Sequence, residues 1–240
     1  KGPGGNILSE GMAHFSTALL TGQVKGEQGR MEFLKRIEES YGQTRRPDAE
    51  RALVKTDGAH DGDRTLIYDK GGWVFWMLYQ QLGRERDLAG LRQFIADWGN
   101  GPDYPVLQDF TAAMRPFAAD PAAYDDFVRQ WFHQVVVPEY RLSDARLTAG
   151  PGGGSWTMKV RVKNAGTGRM PVEVAAVRGD RFTKEGKPAP GYRDARRTVT
   201  LGKGEEATVE IPCAFQPDRV LVDPDVKVLQ LRRKAAVVKL

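Results

Sequence analysis

Apolar residues recur at helical spacing through the first half of the chain and alternate with polar ones through the second half. Ile7, Leu8, Met12, Phe15, Leu19 and Leu20 lie on one stripe, which predicts an amphipathic helix over Ile7 to Leu20 with Ser9 as its cap. Met31, Phe33, Leu34 and Ile37 repeat the pattern over Glu27 to Tyr41. Leu66 to Leu82 is apolar on most faces around Trp73-Val74-Phe75-Trp76-Met77-Leu78, so a buried central helix is expected there, closed by Gly83. Further helices are predicted over Asp87 to Trp98, Tyr104 to Phe117 and Asp120 to Phe132, the last opened by Asp120-Pro121.

The period then changes to two. Trp156, Met158, Val160 and Val162 face one way; Lys159, Arg161 and Lys163 face the other. Val172, Val174 and Ala176 continue the pattern. Thr198 to Leu201 and Thr208 to Phe215 read as two arms of a hairpin around Gly202-Lys203-Gly204-Glu205, and Val220 to Val222 and Val226 to Leu231 as short strands. Several short strands separated by turn signals predict a β-sandwich. The boundary is placed at Val137–Pro138, which gives a helical region over 1–137 and a β-sandwich domain over 138–240. Ala149 to Gly154 reads as a flexible loop.

Composition fits a globular chain, with 40% hydrophobic and 28% charged residues in 240. No apolar run reaches the roughly 18 residues a membrane helix needs. The opening Lys1-Gly2-Pro3-Gly4-Gly5 lacks the apolar core of a signal peptide and reads as mid-chain. The single cysteine, Cys213, excludes an internal disulfide and is expected to be a buried, inert thiol; the compartment stays open. Residues 1–140 carry 16 Lys/Arg against 20 Asp/Glu, and residues 141–240 carry 20 against 11. A basic second half could face an anionic membrane surface; the alternative is a solvated sheet face. The basic residues are scattered and few aromatics interleave with them, so no nucleic-acid partner is expected.

Two segments could carry chemistry. In Leu8-Ser9-Glu10-Gly11-Met12-Ala13-His14, Glu10 and His14 are four apart and share a helix face. Glu10 is either a first-turn carboxylate favoured by the helix dipole or half of a metal pair, and two ligands do not make a zinc site. In Tyr68-Asp69-Lys70-Gly71-Gly72-Trp73, Tyr68 could point its hydroxyl into a cleft or pack at a rim. The three histidines are scattered, and no H-E-x-x-H, G-x-S-x-G, P-loop or dinucleotide fingerprint occurs.

Together, Leu8-Ser9-Glu10-Gly11 and Tyr68-Asp69-Lys70-Gly71 resemble two motifs of the aminopeptidase N family of gluzincin zinc metallopeptidases. The resemblance covers about residues 6–140, and beyond them only the architecture is similar. It implies an α+β multidomain chain: the helical lobe of a thermolysin-like peptidase domain followed by an all-β sandwich domain. It also implies that Glu10 is the third zinc ligand and that Tyr68 donates a hydrogen bond to the oxyanion of a peptide substrate. In the family, H-E-x-x-H lies about twenty residues before that ligand. Counting back from Glu10 runs off the chain, so the expected zinc-dependent peptidase would be a longer parent, and residues 1–240 alone would be inactive and bind no zinc. An extracytoplasmic or membrane-associated parent is expected. The alternative is a non-catalytic pseudo-peptidase or interaction module, fused to a membrane transporter.

Overall fold

The computed structural model describes residues 4–101, 103–152 and 154–240. Lys1, Gly2 and Pro3 of the opening, and Gly153 of the glycine-rich loop, lie outside the described residues. A helical region is followed by a β region, the α+β order expected. By contacts the chain divides into one unit comprising Lys1–Leu20 with Leu34–Val136, and another comprising Thr21–Phe33 with Val137–Leu240.

The helical elements begin with a π-helical turn, Ile7–Gly11, that runs into helix α1, Met12–Thr44. Ser9 lies inside this turn; its hydroxyl donates to the Asn6 carbonyl at 3.1 Å, so it does not cap a helix as expected. The two helices expected over Ile7 to Leu20 and Glu27 to Tyr41 form one run, broken at Gly26, whose φ of 70° leaves helical geometry. A single turn, α2 (Asp63–Thr65), leads through a second π-helical turn, Leu66–Lys70, into α3, Gly71–Leu82. Nine of the twelve α3 residues are buried, matching its continuous apolar sequence. Each large apolar side chain buried there stabilises the unit by about 1.5–3 kcal/mol. Trp73 donates its indole N–H to the Leu34 carbonyl at 3.0 Å, and Phe75 meets Phe110 edge-on at 5.3 Å. Gly83 at φ 82° ends α3 as predicted.

Three helices complete the first unit: α4 (Arg84–Trp98), α5 (Leu107–Met114, shorter than expected) and α6 (Pro121–Trp131). Asp120 caps α6 as predicted, accepting from the Ala122 and Ala123 amides at 3.0 Å each. No helix among the described residues is long and apolar enough to cross a membrane.

The second unit contains two antiparallel sheets. One has the order β1 (Tyr140–Ala149), β2 (Trp156–Asn164), β5 (Glu206–Cys213); the other has the order β4 (Arg193–Leu201), β3 (Met170–Arg178), β6 (Arg219–Val222), β7 (Val237–Lys239). Met158, Val160 and Val162 are buried while Lys159, Arg161 and Lys163 are exposed, as the alternation predicts. The expected hairpin of β4 and β5 does not form. Val199 pairs with Val172 of β3 and Val209 pairs with Val160 of β2, so Gly202 to Glu205 joins two different sheets. The ladder hydrogen bonds of both strands are made with neighbours other than each other. The strand expected over Val226 to Leu231 is also absent. Asp223 instead gathers the Lys227 and Val228 amides and the Arg233 guanidinium, and Asp223 and Val226 adopt positive φ. Cys213 is buried, and burial pushes its thiol pKa up, as befits an inert thiol.

Many basic residues of this unit are paired. Lys159 meets Glu210, Arg161 meets Asp144, Arg169 meets Glu205, and Arg141 meets Glu139. Asp225 anchors a denser network with Arg196 at 2.7 Å, Lys227 at 3.1 Å and Arg181; Arg181 also reaches Glu27 at 2.9 Å.

Candidate functional site

Glu10 and Tyr68 lie on the two π-helical turns, and these turns meet through glycines. A Cβ on Gly11 would stand 3.0 Å from the Ile67 carbonyl oxygen and 3.2 Å from the Gly71 carbonyl carbon. A Cβ on Gly72 would stand 2.6 Å from Cβ of His14, closer than such atoms come. Only glycine permits this approach. π-turns interrupt the ordinary helical register and are frequent at functional sites.

The consequence is a small polar cluster on an otherwise apolar contact. The Glu10 carboxylate acts on the Tyr68 hydroxyl and, ahead of burial, holds the phenol pKa above its ordinary value. Both side chains are partly exposed. Arg64 lies over the Tyr68 ring at 5.7 Å, and the His14 ring meets it edge-on at 5.6 Å. His14 Nδ1 is 3.6 Å from Asp69 Oδ1, and the Ser40 hydroxyl donates to Asp69 Oδ2 at 2.7 Å. Burial pushes the Asp69 carboxyl up; Ser40 and His14 offset part of that rise.

Beneath the site, Lys70 is fully buried and donates to Glu50 Oε1 at 2.7 Å. Tyr41 donates to the same oxygen at 2.7 Å, and Arg45 holds the other oxygen at 2.6 Å. Burial alone would raise the Glu50 carboxyl; Lys70, Tyr41 and Arg45 together bring it below its ordinary range. The π-turn carrying Tyr68 is thus pinned by the two residues that follow it.

The sequence-predicted residues Glu10 and Tyr68 are therefore brought together, with His14 beside them. Glu10 joins no group of three possible metal ligands among the described residues. The coordination set of a zinc site is not provided there. One such group exists elsewhere, Asp57, His60 and Asp63. Its centre is already served: Asp63 accepts from the Asp57 and Gly58 amides at 3.0 Å each and from Arg51. Asp57 accepts from the Ala59 amide at 3.0 Å and faces His60 Nδ1 at 3.2 Å. A guanidinium fills the place of a cation, and the group organises its loop.

No protein-family model matches the chain, and no curated protein matches it. Among solved structures that align with part of it is a β-glucosidase from Streptomyces venezuelae in complex with D-glucose. It shows 16% identity and a TM-score of 0.26 over 45% of this chain and 15% of that one. A β-glucosidase from Listeria innocua aligns at 20% identity and a TM-score of 0.24 over 43% and 16%. Another from Kluyveromyces marxianus aligns at 20% and 0.24 over 49% and 16%. The chain thus corresponds to under a fifth of the length of these structures.

These comparisons overturn the aminopeptidase N resemblance. No gluzincin family model matches, and the solved structures named above are β-glucosidases. The assignments to a zinc metallopeptidase and to an aminopeptidase-like hydrolysis fall with it. At these TM-scores the β-glucosidases in turn assign neither fold nor activity to this chain.

Proposed function

We propose that the Glu10–Tyr68 pair is a binding site for a primary carboxamide, such as an Asn or Gln side chain of a peptide ligand. The observation that carries this is a partly exposed carboxylate next to a partly exposed phenol, held on two π-turns that glycines lock together. Carboxylate and phenol form an acceptor beside a donor. A primary carboxamide offers the complement, an N–H on the same side as its carbonyl oxygen, so it can meet both partners at once. The buried Lys70–Glu50 pair and the Ser40–Asp69 contact fix the backbone on which Tyr68 stands, which lowers the cost of ordering it on binding.

The two sheets of the second unit are read as the layers of a β-sandwich. Their alternating buried stripes support this, and no ligand is assigned to them. The paired state of its arginines supports a solvated face rather than a membrane-binding one.

Acetamide, a primary carboxamide, is the probe that tests the site. In a 15N-edited NMR titration of the 240-residue chain it is expected to perturb the amides of Glu10, Gly11, Tyr68 and Asp69. Tyr68→Phe removes the donor and should weaken binding about fivefold, the worth of one hydrogen bond. Perturbations confined to other parts of the chain, or unchanged binding by Tyr68→Phe, would overturn the reading.

A further inference from the structure

We infer that the free edge of β4 is a docking site for an acidic segment of a partner protein, which adds to the sheet as a further strand. The sheet runs in the order β4-β3-β6-β7, and among the described residues β4 pairs with β3 alone. An exposed edge is usually kept short, yet β4 runs over nine residues. The direction of its backbone groups follows from β3. The Glu173 and Val177 carbonyls accept from the Asp223 and Asp218 amides, on the β6 side. Backbone groups alternate sides along a strand, so Val172, Val174 and Ala176 turn theirs to Val199, Arg197 and Ala195 of β4. The backbone groups of Arg196, Thr198 and Thr200 therefore point away from the sheet, and among the described residues no backbone group meets them.

Charge selects the occupant. Arg178, Arg193 and Arg197 are exposed, share one face of the sheet, and have no ion pair among the described residues. Arg178 and Arg193 stand directly opposite each other in the register, a like-charge placement that costs stability unless an anion lies between them. The Arg193 guanidinium lies over the Phe215 ring at 5.2 Å, which fixes its place. Arg197 donates to the Arg196 carbonyl at 3.2 Å, one of the outward-pointing acceptors. A side chain thus caps the edge where the amide of an added strand would bind. The incoming amide would replace it and release the Arg197 guanidinium for a carboxylate. A second copy of the chain fits badly, because it would set arginines against arginines.

The pattern of the occupant follows from the register. An antiparallel strand on this edge would hydrogen-bond to Arg196, Thr198 and Thr200. Its residues opposite Arg193 and Arg197 would lie on one face, with Cβ atoms about 5 Å from those of the arginines. Arg193 and Arg197 are four apart, so the segment carries two acidic residues at that spacing. Opposite the half-buried Val199 it carries an apolar residue, placed ahead of the acids because the strands run in opposite directions.

The test titrates the full chain with the capped peptide Thr-Val-Thr-Glu-Thr-Thr-Thr-Glu-Thr, followed by NMR. Wild type should bind it, and hydrogen exchange of the Arg196, Thr198 and Thr200 amides should slow as the site fills. The same peptide with lysines in place of its glutamates should bind about tenfold more weakly. The double variant Arg193→Glu, Arg197→Glu should reverse that preference and favour the lysine peptide. Both substituted positions are exposed, and the comparison of the two peptides on wild type needs no variant at all. Equal binding of the two peptides by wild type overturns the inference. So does binding that leaves the three amides exchanging freely, which would be contact with the arginines without strand addition. Absence of binding, or self-association of the chain through this edge in sedimentation, overturns it as well.

Discussion

Lys70 Nζ stands 2.7 Å from Glu50 Oε1, and neither side chain is more than 1% exposed. The pair is completed by Tyr41 and Arg45, so each Glu50 oxygen has a partner. Removing one member of a buried pair leaves the other charged and desolvated. Lys70→Met or Glu50→Gln is expected to destabilise the chain by about 3–5 kcal/mol, Lys70→Met toward the lower end because Arg45 still serves Glu50. Urea denaturation of each variant measures this. A cost under about 1 kcal/mol would show that water reaches the pair.

The Tyr68 phenol should ionise later than an ordinary tyrosine, because the adjacent Glu10 carboxylate favours its protonated form and repels the phenolate. Ultraviolet absorbance titration isolates it as the difference between wild type and Tyr68→Phe. Glu10→Gln should move that difference curve to lower pH. An unmoved curve would mean that the two side chains do not meet in solution.

Asp87 is buried, its Oδ2 has no hydrogen-bond partner, and burial pushes its carboxyl up to about 7. The native state therefore holds this proton more tightly than the unfolded chain, where an aspartate titrates near 3.9. Stability contributed by the neutral form is complete below that value and is lost as pH rises through about 7. Asp87→Asn keeps the shape and removes the charge. It should match wild type near about pH 4 and exceed it at about pH 8, by at most about 4 kcal/mol. Urea midpoints at the two pH values decide it, and a constant difference between variant and wild type would contradict the burial argument.

Asp225 has the opposite sign. Burial would raise its carboxyl, but Arg196 and Arg181 outweigh burial and hold it far below the ordinary range. Its contribution is present above about pH 4 and lost as pH falls below that. Asp225→Asn should cost roughly 2 kcal/mol at neutral pH, discounted because Arg196 and Arg181 remain partly exposed. The deficit should shrink toward about pH 2, which far-UV circular dichroism of urea unfolding can follow.

Helices were legible in the sequence wherever apolar spacing and a local stop agreed, as at α3 with Gly83 and α6 with Asp120-Pro121. The alternation of Met158, Val160 and Val162 likewise marked the buried face of β2. Strand partners were not legible. Gly202 to Glu205 has the composition of a hairpin turn, yet the pairing of β4 with β3 and β5 with β2 is decided by distant strands. Val226 to Leu231 is apolar enough for a strand, but Asp223 takes its amides. Of the site, Glu10 and His14 announced themselves by helical spacing. Glu50 gave no signal, since its partner Lys70 lies twenty residues away across a loop.

The two π-turns make the site a question of counting. In an α-helix each residue advances the direction of a side chain by about 100°. A turn that holds one residue more than α-helical geometry needs is therefore an insertion written into the backbone. Losing one residue from Ile7–Gly11 would let the helix relax to its usual winding and swing Glu10 by about that angle relative to His14. Losing one from Leu66–Lys70 would do the same to Tyr68 relative to α3. The meeting of carboxylate, phenol and imidazole is thus encoded as much by chain length within ten residues as by the identity of those residues. A related sequence that keeps all three side chains but drops one position from either turn would lack the site.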